Sequence, residues 1–269
     1  MNKVIALDAG HGYNTAGKRC MKSLDPDQTR EWWLNDRIMD LAEADLTTNY
    51  DCTVLRVGDT TGKKDISLTA RANAANTAKA VAYISMHHNA GLYGRNGGGT
   101  VVYYYSSNVG RPSQALRLYN QIVKQTGLVG NRSHKVIKKA FAVLKKTSMP
   151  AFLVENGFMD SPTDVPIILS QEHAQKTAQG VVAFLVEEFC LEPKKAQNKP
   201  NTQSYLYYPA YTGAKATLSV ALKSLGINHT YDFRKKIAEV NNISGYRGTY
   251  AQNTQMYNLL VAGLLKIVL

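Results

Sequence analysis

The chain has 269 residues, 44% of them hydrophobic and 19% charged, a globular composition long enough to bury a core in one domain or in one domain plus a small module. No run of about eighteen apolar residues is present to span a bilayer, and the opening MNKVIALDAG lacks the shape of a signal peptide, so the expectation is a chain with no standard secretion route. Lys and Arg number 32 against 20 Asp and Glu, a net charge of +12 that favours a polyanionic partner: nucleic acid, a membrane surface or an anionic cell-wall polymer. The absence of an RNP-type, helix-turn-helix or zinc-finger signature counts against nucleic acid. Cys20, Cys52 and Cys190 form an odd set without CxxC spacing, which argues against disulfides and against a thiolate metal site.

In chain order, VIALDA (4–9) reads as a strand and 31–48 carries helical spacing. CTVLRVG (52–58) reads as a strand, 67–79 as a helix, and VAYISM (81–86) and TVVYYYS (100–106) as strands. A helix over 111–127, strands at FAVLKK (141–146) and AFLVENG (151–157), and a helix over 171–190 complete the series. The alternation predicts an α/β domain over residues 1–191. Ligand sites in such sheets lie beyond the carboxyl ends of the strands. Residues 192–204, EPKKAQNKPNTQS, have a linker composition. The remaining residues, 205–269, show helical spacing at 215–225, 231–241 and 252–265 and predict a small, mainly helical module. That module holds seven Lys and Arg against two acidic residues, a net +5.

Three apolar runs end in side chains able to ligate a metal or move a proton: VIALDAG in His11, VAYISM in His87 and AFLV in Glu155. A hydrolytic zinc takes three protein ligands from imidazole nitrogen and carboxylate oxygen and leaves a fourth position to water. Two histidines and a glutamate satisfy that donor set. The metal then lowers the pKa of its water, and a nearby carboxylate outside the ligand set, a role that suits Glu155, shuttles the proton to the leaving amine. Asp8, three residues before His11, either orients that ligand or caps a turn. His88 competes with His87, and only one of two successive strand side chains faces the metal. Glu31 competes with Asp25, Asp27 and Asp36 as the third ligand, and spacing alone does not choose among them. His134, His173 and His229 read as packed or surface residues.

DAGHG near the start, E-x-x-x-N in EWWLN, SMHHN and MPAFLVENGF together resemble the type 3 family of N-acetylmuramoyl-L-alanine amidases, zinc enzymes that cut peptidoglycan. The resemblance covers about residues 3 to 190. It implies a mixed sheet flanked by helices, of the phosphorylase/hydrolase-like kind. It also implies zinc ligands at His11, Glu31 and His87 and a catalytic carboxylate at Glu155, choosing Glu31 among the acids and, through S-x-H-x-N, His87 over His88. Asn35, one turn after Glu31, and Asn89 join Asp8 as candidate supports for the ligands. The segment KRCMKSLDPDQTR, the Asn156 that follows Glu155 and the lysine-rich NRSHKVIKKAFAVLKKTS depart from the family pattern.

The tail resembles, more weakly, the C-terminal wall-binding modules of bacteriophage lysins, through YYPAYTG, INHTYDFRKKIAEVNNISGY and GTYAQNTQMYNLL. Its tyrosines 205, 207, 208, 211, 231, 246 and 250 either stack on sugar rings or fill a small core. The expectation for the whole chain is a two-domain peptidoglycan amidase with peptidoglycan, and anionic wall polymers, as partners. Such an enzyme would be made as a phage or prophage endolysin in the host cytoplasm and act on the wall after release, a gram-positive wall being the better fit. A bacterial autolysin or mother-cell lysis amidase, a metallopeptidase acting within the stem peptide, and a catalytically silent wall-binding protein are the alternatives.

Overall fold

A computed structural model describes residues 2–105, 112–131, 133–194, 207–214 and 216–268. The chain divides into two compact units, Met1–Lys195 and Ala196–Leu269.

The first unit runs β1 (Lys3–Ala9), α1 (Glu31–Asn49), β2 (Cys52–Arg56), α2 (Leu68–Thr77), β3 (Ala82–Asn89) and β4 (Thr100–Tyr104). It continues through α3 (Pro112–Thr126), β5 (Val136–Lys138), α4 (Ala142–Lys146), β6 (Ala151–Phe158), α5 (Val165–Ile168) and α6 (Gln171–Phe189). The strands form one sheet in the order β2-β1-β3-β6-β4-β5. β2, β1, β3 and β6 are parallel, and β4 runs antiparallel to β6 with β5 parallel to β4. This is the α/β class that the sequence pattern predicts and the mixed sheet flanked by helices that the resemblance implies.

Strand alternation sorts the side chains onto two faces. Ile5, Leu7, Ile84, Met86, Phe152 and Val154 pack with α1, α3 and α6, around Ile38, Met39, Ile122 and Phe184. Ala6, Tyr83, Val101, Tyr103 and Leu153 pack with α2 and α4 on the other face. Both faces are covered, which is why these strands read as continuous apolar runs rather than as an alternation of apolar and polar residues.

FAVLKK does not form the expected strand. It becomes α4, and the strand lies just upstream at Val136–Lys138. A single helical turn here buries Val143 and Leu144 while Lys145 and Lys146 stay outside, and Phe141 packs edge-on against Tyr103 at 5.1 Å. An apolar run this short satisfies either period, so tertiary contacts decide. The sequence pattern also missed α5.

Residues 192–194, expected as the start of the linker, pair with the first unit: Pro193 bridges Tyr50, and the Glu192 carbonyl accepts from the Asp51 amide. The rest of the expected linker, Tyr205, Lys215, Ser106 and Arg111 lie outside the described residues.

The second unit holds α7 (Leu218–Ser224), α8 (Tyr231–Val240) and α9 (Tyr250–Val261), each starting after a threonine. Thr249 and Gln252 form a capping box at α9. Leu222, Ile237, Ile243, Tyr246, Met256, Leu260 and Leu265 build a core of its own. Tyr208 and Tyr246 belong to that core, whereas Tyr207, Tyr231 and Tyr250 are exposed.

Candidate active site

β1, β3 and β6 end side by side. Asp8 pairs in register with Ser85, and His87 with Glu155. In-register neighbours on parallel strands project to the same face, so His87 and Glu155 point together to the side on which Asp8 and Ser85 lie. His88 and Asn156 therefore point to the opposite face.

After Ala9 the chain leaves the strand through Gly10-His11-Gly12. His11 has a left-handed backbone, φ 68°, a conformation that costs a non-glycine residue about 1–3 kcal/mol and recurs at functional sites. A Cβ on Gly10 would lie 2.1 Å from the His87 ring, and one on Gly12 2.9 Å from the Asp65 amide nitrogen. Gly10 lets the loop close down on His87, with the two imidazoles edge to face at 4.8 Å between centroids, and Gly12 lets it pass close to the Asp65 backbone.

Glu31 is the first residue of α1, where the positive end of the helix dipole favours a carboxylate. It is 1% exposed. Its Oε1 lies 3.0 Å from His87 Nδ1 and 3.4 Å from His11 Nε2, and accepts from the His88 amide at 3.2 Å. Burial alone would raise its pKa, but hydrogen bonds from His11 and His87 hold it well below the usual carboxylate range. Burial opposes the charged form of His87, yet Glu31 raises its pKa above the ordinary imidazole value.

One ligand atom from each of His11, Glu31 and His87 lies within 4.8 Å of the others. Donor atoms bound at ~2.05 Å around a tetrahedral zinc lie about 3.3 Å apart. The observed 3.0 and 3.4 Å to Glu31 Oε1 bracket that separation. Glu31 Oε2 is buried without a hydrogen bond, with Lys18 Nζ 3.6 Å away. Donor chemistry, spacing and the unsatisfied oxygen all fit a divalent cation.

Glu155 stays out of this cluster. Burial pushes its pKa up to about 7 against the pull of His87, and its Oε2 is buried without a hydrogen-bond partner among the described residues. A carboxyl group poised near neutrality beside a cation site is suited to take up and return a proton.

The structure places the expected supports as follows. Asp8 neither caps a turn nor meets the His11 ring: its carboxylate is held by Arg71, by Tyr83 Oη at 2.8 Å and by Ser85 Oγ at 2.7 Å. Arg71, 1% exposed, donates to the carbonyls of Ala9 and His11, each at 2.8 Å, and to Asp65 at 3.0 Å. It ties the glycine loop to the sheet. Sequence reasoning missed it, although a single arginine in the alanine-rich LTARANAAN is a signal, because a helix face of that kind is expected to be buried. Asn35 bonds the Gly10 carbonyl at 3.1 Å and His88 Nδ1 at 2.8 Å, and so braces the loop rather than Glu31. Asn89 turns back on the Ala90 amide at 2.8 Å. Asn156 reaches α6, at 2.9 Å from His173 and 3.0 Å from Thr177. His134 is exposed and His229 half-buried.

KRCMKSLDPDQTR folds against the site. Arg19 bridges Arg30, the Met21 amide donates to the Met159 carbonyl at 2.9 Å, and the Glu31 amide donates to the Lys18 carbonyl at 3.0 Å. Beside His11, the half-exposed Tyr13 packs edge-on to Trp32 at 6.1 Å.

The family model for N-acetylmuramoyl-L-alanine amidases matches residues 5–187. The amidase CwlM of Bacillus licheniformis is 32% identical over 194 residues, 71% of each chain. The endolysin of Bacillus phage SPP1 is 28% identical over 210 residues, 76% of this chain and 72% of that one. Among solved structures, an N-acetylmuramoyl-L-alanine amidase from Clostridium difficile 630 superposes with a TM-score of 0.62 at 25% identity, covering 70% of this chain and 97% of its own. The catalytic domain of the amidase CwlV from Bacillus (Paenibacillus) polymyxa superposes with a TM-score of 0.60 at 24% identity, a likeness of fold.

Proposed function

The chain belongs to the N-acetylmuramoyl-L-alanine amidase family, and on that premise we propose that it hydrolyses the amide bond between N-acetylmuramic acid and the L-alanine of the stem peptide with zinc held by His11, Glu31 and His87. The observation that carries the site is the convergence of these three donors, within 4.8 Å of one another, beside a carboxyl group raised to about 7. Zinc bound there would polarise the scissile carbonyl and lower the pKa of a water molecule. Glu155 takes a proton from the attacking water on its unpaired Oε2 and returns it to the leaving amine. The products are a lactyl carboxylate on the sugar and a free amino terminus on L-alanine. Arg71 and Asn35 hold the His11 loop, and Gly10 gives the His87 ring its space.

We also propose that the second unit binds the cell wall and that the whole is a phage or prophage endolysin, made in the host cytoplasm and acting on the wall after release. Three observations support this reading: the separate core of the unit, the net +5 of residues 205–269 and the similarity to the SPP1 endolysin. A tethered wall-binding unit raises the effective concentration of the enzyme at an insoluble substrate. No helix among the described residues is long and apolar enough to cross a membrane. The similarity to CwlM favours a bacterial autolysin as the second reading, and a neighbouring pore-forming gene would discriminate for the endolysin.

The test is turbidity loss of purified gram-positive walls with analysis of the new chain ends. Wild type should clear the walls and release free L-alanine amino termini. EDTA should stop clearing and added zinc restore it, and Glu155→Gln should lower the rate by about 10²–10⁴. Clearing that survives EDTA or Glu155→Gln would sink the assignment, and new termini elsewhere in the stem peptide would make the chain a peptidase.

A further inference from the structure

The second unit carries a groove of about 560 Å3 between the exposed side of α8 and the loop that leads to α9, lined by Lys235, Glu239, Asn242, Ile243, Tyr246 and Arg247 among others. That volume is in the range of small-ligand sites. The loop is held in shape by its own chemistry. Asn242 and Gly245 turn it with left-handed backbones, φ 58° and 61°. The Arg247 amide donates to Gln252 Oε1 at 2.8 Å, and Gln252 Nε2 donates to the Gly245 carbonyl at 3.1 Å. Tyr246 Oη donates to Asn253 Oδ1 at 2.6 Å, while Asn253 Nδ2 donates to the Gly248 carbonyl at 2.9 Å. The Arg247 side chain thus leaves a braced backbone, so ligand binding has the side chains but not the loop to order.

Ile243 and Tyr246 are buried and form the apolar floor, while Lys235 and Arg247 are exposed and form no ion pair among the described residues. Glu239 supplies an acceptor for hydroxyl groups. Tyr231, Lys235 and Glu239 follow one another at four-residue spacing along one side of α8. The Tyr231 ring, 47% exposed, lies outside the lining, 5.6 Å from the ring of Tyr246. Two cations without an ion pair among the described residues and an acceptor over a partly apolar floor, with an exposed aromatic ring on the same side of α8, suit a sugar ring that carries an anionic substituent.

We propose that this groove is the ligand site of the second unit and that it takes a short glycan segment bearing a phosphate or a carboxylate. The proposal rests on the reading of that unit as wall-binding. The test uses the full chain as Glu155→Gln, which keeps the substrate intact, with wall fragments solubilised by a muramidase. Hydrogen exchange should show new protection confined, within 207–268, to residues 231–247. Lys235→Ala/Arg247→Ala added to Glu155→Gln, with an unchanged Tm, should bind the fragments about tenfold more weakly, and binding by Glu155→Gln alone should weaken as salt rises. If hydrofluoric acid stripping of phosphodiester polymers removes binding by Glu155→Gln, the anion is a polymer phosphate; if binding survives stripping but still needs the two cations, it is a carboxylate of the peptidoglycan. Protection elsewhere in 207–268 with a silent double variant would overturn the groove and leave the wall-binding reading standing. No protection anywhere in 207–268 would overturn both, and equal competition by a single-stranded oligonucleotide would overturn the glycan.

Discussion

At His11 the backbone, not only the side chain, is specialised. Its left-handed conformation sits between two glycines, one of which leaves space that the His87 ring fills. Gly10→Ala places a methyl group 2.1 Å from His87 Cε1, so one ligand must move. We expect zinc affinity, read by competition with a chromophoric chelator, to fall by about 10–100-fold, the range for disturbed ligand support. Arg71→Met leaves the buried Asp8 carboxylate without its cation and should cost about 3–5 kcal/mol in denaturant unfolding. Adding Asp8→Asn should recover part of that loss, and a strictly additive pair would show that the two residues do not act as a unit. The glycines and histidines of this loop were legible from DAGHG. The partner of Asp8 was not, because Arg71 lies 63 positions away and meets it only where α2 packs on the sheet.

At the scale of elements, period-two alternation does most of the sorting. It sends His87 and Glu155 to one face and His88 and Asn156 to the other, where α1 and α6 receive them. His173 on α6 shows what that burial does. Its pKa is lowered to about 4, first by burial and then by Arg37. A histidine with a lowered native pKa binds fewer protons folded than unfolded, so stability is complete above the unfolded pKa near 6.5 and is lost as pH falls from there toward 4. The metal-free protein should lose about 3 kcal/mol from this group over that interval, each pKa unit being worth about 1.4 kcal/mol. His173→Gln should flatten the acid limb of the stability curve, and an unchanged limb would refute this attribution. The element that sequence misassigned, FAVLKK, is short enough for either period, and Tyr103 and Val101 beneath it settle the choice.

At the scale of the molecule, two units each have a core, and the proposed metal belongs to the first. Zinc at about a thousand times its dissociation constant should stabilise that unit by about 4 kcal/mol, visible in calorimetry as an upward shift of one transition that EDTA reverses. A scan that zinc leaves unmoved would mean that the three donors do not form a binding site. The sequence by itself determined the α/β class, most of its strands and helices outside residues 136–168, the family and the residue types of the donor set, because hydrophobic period and short motifs are local properties of the chain. Tertiary structure decided which oxygen the two imidazoles share, why Gly10 is needed, that Arg71 rather than a turn engages Asp8, that Asn35 braces the loop, and where the second unit opens a groove. Each of these depends on atoms brought together across the sheet or across a turn, and no local pattern encodes that distance.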